Sequence, residues 1–249
     1  MKTLSRERLS RGLFVLPTLF TVGNLFCGYL SIWSSIRGTF ETSALLIIGA
    51  AVLDALDGRI ARMTHTTSNF GEEYDSLADL VSFGVAPAVL AYSWGLSDFE
   101  RLGWMVSFLF VACGSMRLAR FNIQTRVVDK RYFVGLPIPA AAGTISSLVL
   151  ATPDRLVHRV FMTGLLILTF LLSYLMISTI RYRSFKDLDL KRRRPAWILP
   201  AILLVFFVIA YRPTLAPLAI AAVFAASGPV ARLYGFFRRK PLPPAATTD

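Results

Sequence analysis

Two pairs of aspartates fall at helical spacing within one short stretch: Asp54 with Asp57, then Asp75 with Asp79. On a helix, positions three or four apart share a face, so each pair presents its carboxylates together. Both pairs lie at the ends of apolar runs, where a buried and unpaired charge is costly and must be neutralised. If the two helices pack side by side through the turn around residues 63 to 70, four carboxylates converge on one small volume. Such an oxygen donor set suits Mg²⁺ or Mn²⁺, whereas zinc would want His or Cys that the stretch cannot supply in number. Two such ions held about 3.5–4 Å apart clamp the attacking and leaving oxygens of an in-line phosphoryl displacement. Gly58, Ala61 and Gly71 are small enough to let a diphosphate approach the backbone, and Arg62 can pair with its charge. The competing reading is a structural ion network in which the acids pair with Arg59 and Arg62.

The full pattern is Asp-x2-Asp-Gly-x2-Ala-Arg-x8-Gly-x3-Asp-x3-Asp, running from Asp54 to Asp79 without a departure. It resembles the signature of the CDP-alcohol phosphotransferases, and its fixed positions at fixed spacing make it far more specific than a lone glycine motif. The resemblance implies a membrane enzyme that moves a phosphatidyl-type group from a CDP-linked lipid to a small alcohol and releases CMP. It also implies a homodimer. In the two-metal reading, Asp54, Asp57 and Asp75 hold two divalent cations, Mg²⁺ or Mn²⁺. Asp79 joins the second ion and takes the proton of the acceptor hydroxyl as general base. Glu72 and Glu73 neighbour the pattern but fall outside its fixed positions, and read as interfacial charges.

The elements that must position these residues are membrane helices. At 249 residues, 55% hydrophobic and 17% charged, the chain lies outside the composition of a soluble domain. The fold class expected is all-α, a polytopic transmembrane bundle of about eight spans with a six-helix catalytic core. Residues 1–12 carry Lys2, Arg6, Arg8 and Arg11 and read as an interfacial segment. Spans are expected near 13–35, 42–61, 73–94, 103–121, 135–151 and 160–180, the end of the second and the start of the third carrying the acids. Two more, near 196–211 and 214–234, follow a basic loop. The chain thus divides into 1–12, a catalytic core at 13–180, the loop and last two spans at 181–240, and a disordered tail at 241–249. Gly84 and Pro87 interrupt the third span and predict a kink.

The formal charge of +12 does not point to nucleic acid, since no basic stripe interleaved with aromatics stands on a soluble domain. Alternating the loops puts 22 of the 27 Lys and Arg on the side of the N-terminus, leaving Arg37, Arg101, Arg155, Arg159 and Arg212 opposite. The richer side is cytoplasmic by the positive-inside rule, so the acids are expected to face the cytoplasm from the cell membrane. Cys27 and Cys113 lie far apart in apolar runs and read as small core residues; His65 and His158 read as loop surface residues.

The acceptor is read from other segments. Leu16-Pro17, Asn24-Leu25, the segment Arg117 to Asn122 and the segment Phe133 to Gly143 resemble the serine-accepting branch of the family, with CDP-diacylglycerol as donor and L-serine as acceptor. Serine brings a carboxylate that Arg117 or Arg120 can meet with a forked pair of hydrogen bonds, and an ammonium that Asn122 can accept from. In the resembled family the first span flanks the nucleotide, which makes Asn24 either a substrate contact or a helix-to-helix hydrogen bond. Glycerol 3-phosphate or an inositol compound is the alternative acceptor. A cation- or proton-coupled transporter is the alternative outside enzymes, since intramembrane acids also build relays.

Overall fold

The computed structural model describes residues 2–64, 69–125, 132–179 and 181–183. Seven α-helices carry the fold: α1 (Lys2–Ile36), α2 (Phe40–Thr64), α3 (Asn69–Asp79), α4 (Ala86–Ala91), α5 (Arg101–Thr125), α6 (Ile138–Ala151) and α7 (Arg159–Ile177). Among the described residues the fold is all-α apart from one antiparallel ribbon, β1 (Tyr132–Val134) with β2 (Arg181–Arg183), in which Tyr132 faces Arg183 and Val134 faces Arg181. Each of the first six expected spans coincides with a helical stretch. The last two, with the rest of the basic loop and the tail, lie outside the described residues.

Among the described residues, four stretches are long and apolar enough to cross a membrane: Thr18–Ile36, Phe70–Phe99, Arg101–Ile123 and Arg159–Ile177. This is a membrane protein. α2 has the length, at 25 residues, but carries Glu41, Asp54, Asp57 and Arg59. α6 has only 14 residues, which at about 1.5 Å per residue falls short of a bilayer core and makes it an inner helix of the bundle. Its side chains agree: Ile138, Ala141, Ala142 and Ile145 are fully buried.

The packing of α1 follows from a narrow stripe. Thr21, Asn24, Gly28, Ser31 and Ser35 recur at intervals of three and four residues, and all five are buried. The opposite face exposes Leu19, Val22, Phe26, Tyr29, Trp33 and Ile36. Such a helix is inside out by the standard of a soluble protein. In lipid, apolar side chains gain nothing by leaving the hydrocarbon, and helices associate through small residues and interhelical hydrogen bonds. Ser31 and Ser35 do this against α2, their hydroxyls lying 2.8 and 2.7 Å from that of Ser43. Gly28 does it against the stretch after α3, where a Cβ would come within 2.8 Å of the Ser82 backbone.

After Asp79 the third span widens. Leu80–Val85 is π-helical, with the Ala86 N–H bonded to the Val81 carbonyl five residues back, and Tyr92–Leu96 repeats the arrangement. The first π-helical stretch ends just before Pro87, whose ring clashes with the carbonyl four residues earlier in a regular α-helix. The sequence predicts a kink at Gly84 and Pro87, and the disturbance there takes the form of a π-helical widening. The far end of the span is tied down by the Trp94 indole, which donates to the Asp154 carbonyl at 2.8 Å.

Replacing Gly28 with valine should therefore separate α1 from Ser82 or force the span to shift. A loss of about 1–3 kcal/mol is expected from overpacking, read as a lower thermal midpoint in detergent. Gly49→Ala serves as the control, because nothing lies within 4 Å of its Cβ and the midpoint should hold or rise.

Candidate active site

The two halves of the aspartate pattern come from α2 and α3, which are separated in sequence by residues 65–68. Carboxylate oxygens of Asp54, Asp75 and Asp79 lie within 4.8 Å of one another. Asp57 stands beside this triad, not in it. It is buried, accepts a hydrogen bond from the Thr21 hydroxyl, and is close enough for its charge to act on Asp75. The sequence predicts that α2 and α3 pack side by side; instead each packs chiefly on α1, which brings three of the four carboxylates together and holds the fourth through Thr21.

The remaining oxygens of the cluster differ in their partners. Asn24 donates from Nδ2 to Asp79 Oδ1 at 3.1 Å, and its own backbone carbonyl accepts from Ser82 at 2.9 Å. Asp75 Oδ1 is buried with no hydrogen-bond partner among the described residues. Like charges this close in a poorly solvated site repel strongly, and an orphaned buried carboxylate oxygen is costly by itself. A set of hard oxygen donors with one buried oxygen unsatisfied fits Mg²⁺ or Mn²⁺, and the donor set contains nothing that would favour zinc.

The cationic side is supplied by α5. Arg117 is 8% exposed, its charge acts on Asp79, and its guanidinium lies 5.6 Å from the centre of the Phe121 ring. Arg120, one turn on, takes a different course and donates from Nη1 to the Ile177 carbonyl at 3.0 Å, holding the C-terminal end of α7. Asn122 donates to the Ser76 hydroxyl at 3.0 Å and to Glu73 at 3.4 Å, joining the end of α5 to α3. Gly58 and Gly71 lie half-buried in α2 and α3. The side chains of Ala61 and Arg62, and His65, fall outside the described residues. His158 is exposed at the start of α7, edge-on to Phe161, and both cysteines are free thiols.

Sequence reasoning passed over Thr21 and Ser82 and left Asn24 between two roles. The signal was present, since Thr21 and Asn24 share a three-four stripe with Gly28, Ser31 and Ser35 in a largely apolar span.

Residues 14–175 match the family model for CDP-alcohol phosphatidyltransferase. The chain belongs to this family. The match runs from α1 through most of α7 and so includes every group of the cluster. Among curated members it is similar to the CDP-diacylglycerol–serine O-phosphatidyltransferase of Helicobacter pylori, 44% identical over 199 residues, covering 78% of this chain and 82% of the relative. The Bacillus subtilis enzyme of the same name is 37% identical over 69% of this chain and 91% of its own length. The archaetidylserine synthase of Methanothermobacter thermautotrophicus is 42% identical over 67% of this chain and 69% of its own.

Crowding of like charges gives a stability signature for this member of the family. In chelator, Asp75→Asn should melt about 2–4 °C above the parent protein, for relief of ~1 kcal/mol of repulsion. The same variant should lose the stabilisation that millimolar Mg²⁺ or Mn²⁺ gives the parent. A chelated midpoint below that of the parent would mean that Asp75 is held by partners within the protein.

Proposed function

We propose that this protein transfers a phosphatidyl group from CDP-diacylglycerol to L-serine, yielding phosphatidylserine and CMP. The triad of Asp54, Asp75 and Asp79, with the orphaned Asp75 oxygen, is the observation that carries the phosphoryl-transfer part of the reading. The acceptor part is supported by the relatives. Their names differ in the lipid, phosphatidyl or archaetidyl, and agree in serine.

Asp54, Asp57, Asp75 and Asp79 would hold two divalent cations, Mg²⁺ or Mn²⁺, which when bound neutralise the diphosphate and orient the displacement. Around them the chain's own groups divide the work. Asp79 takes the proton of the serine hydroxyl. The freed oxygen forms a bond to the phosphorus that carries the diacylglycerol, the bond from that phosphorus to the bridging oxygen breaks, and CMP departs with the oxygen. Gly58, Ala61 and Gly71 admit the diphosphate, and Arg62 pairs with it. Arg117 meets the serine carboxylate, for which its place beside Asp79 suits it better than Arg120, whose guanidinium is engaged at Ile177. Asn122 receives the serine ammonium. The charge asymmetry of the loops supports a site at the cytoplasmic face, where CDP-lipid and serine would meet.

The test is CMP release by the purified full-length protein from CDP-diacylglycerol in Mg²⁺ or Mn²⁺. Turnover should require L-serine, stop with chelator and fall about 10²–10⁴-fold in Asp79→Asn. Turnover with glycerol 3-phosphate or inositol compounds in place of serine would keep the chemistry and overturn the acceptor. Absence of CMP release with any alcohol, from protein that remains folded, would overturn the enzyme reading.

A further inference from the structure

Two side chains on α1 touch the carboxylate cluster without belonging to the aspartate pattern. The Thr21 hydroxyl donates to Asp57 Oδ2, and one turn later the Asn24 amide donates to Asp79 Oδ1 at 3.1 Å. We infer that α1 is the positioning helix of the site, with Thr21 and Asn24 fixing one carboxylate from each motif helix so that the free oxygens face the diphosphate and the acceptor. The inference rests on the phosphatidyl-transfer reading above and deepens it.

The surroundings of Asn24 argue that it is there to orient, since packing alone would not select it. It is fully buried, yet its Oδ1 has no hydrogen-bond partner among the described residues, which is a standing cost of leaving an acceptor unsatisfied. A leucine of the same size would pack there without that cost. The helix is also fixed in place at this level by the close approach of Gly28 to Ser82 and by the Ser82 bond to the Asn24 carbonyl, so a shift of α1 would carry both donors away from their carboxylates. Outer donors of this kind set the rotamer of a ligating carboxylate, and their loss costs about 10–100-fold in metal affinity or activity.

The experiment uses the full chain in detergent, with Mn²⁺ binding followed by electron paramagnetic resonance beside serine-dependent CMP release and the thermal midpoint in chelator. Thr21→Val and Asn24→Leu should each weaken Mn²⁺ binding and lower kcat about 10–100-fold, with the chelated midpoint at or above that of the parent. Thr21→Ser, which keeps the hydroxyl, should restore both. Ser31→Ala, on the same stripe but away from the acids, should lower the midpoint and leave Mn²⁺ affinity unchanged. Parental Mn²⁺ binding and turnover in the valine and leucine variants would overturn the inference, as would losses that track the midpoint or a serine variant no better than valine. Failure of the parent protein itself to bind Mn²⁺ or release CMP would instead strike the phosphatidyl-transfer reading.

Discussion

Repulsion among carboxylates is the constraint around which this bundle is built. Asp54, Asp75 and Asp79 are held at contact distance, with Asp57 alongside, in a site partly removed from water. A chain left to minimise its own energy would separate them. Holding them requires rigid neighbours: α1 across the cluster, α5 with the buried Arg117 behind it, and the π-helical stretch that begins one residue after Asp79. Bound divalent cations would relieve that repulsion, so the protein's stability and the chemistry proposed for it depend on the same charges.

The helix that steadies the cluster is also the one with the least ordinary sequence logic. α1 turns its large apolar residues to the lipid and its hydroxyls, amide and glycine inward, because interhelical contacts in a bilayer depend on close approach and hydrogen bonding. One continuous stripe does two jobs. At the Ser31 and Ser35 end it joins α1 to α2 through Ser43, and at the Thr21 and Asn24 end it reaches the carboxylates. The Gly28 contact with Ser82 lies between the two and sets the depth of both.

Much of this was legible in the chain. The spacing of the aspartates predicts two carboxylate faces meeting through a short turn, and the apolar runs predict the helices through α7. The division of labour among arginines was not legible. Arg117 and Arg120 lie one turn apart, and residue type alone does not say that one stands beside Asp79 while the other closes the end of α7. The same holds for Asp57, whose pattern position equals that of its neighbours although its oxygen is engaged by Thr21. Pro87 predicts a disturbed helix but not its form, since a kink and a π-helical widening both accommodate a missing donor. The ribbon of Tyr132–Val134 with Arg181–Arg183 joins two segments that lie outside the expected spans, and pairs so short carry no periodic signal.

The most direct test of the account is anomalous diffraction from crystals of the full chain grown with Mn²⁺ and a CDP-linked lipid. Two manganese peaks are predicted, bounded by the carboxylates of Asp54, Asp57, Asp75 and Asp79, with the diphosphate on their open side. Catalytically active crystals with no manganese peak among those four residues, or with manganese bound only elsewhere, would contradict it.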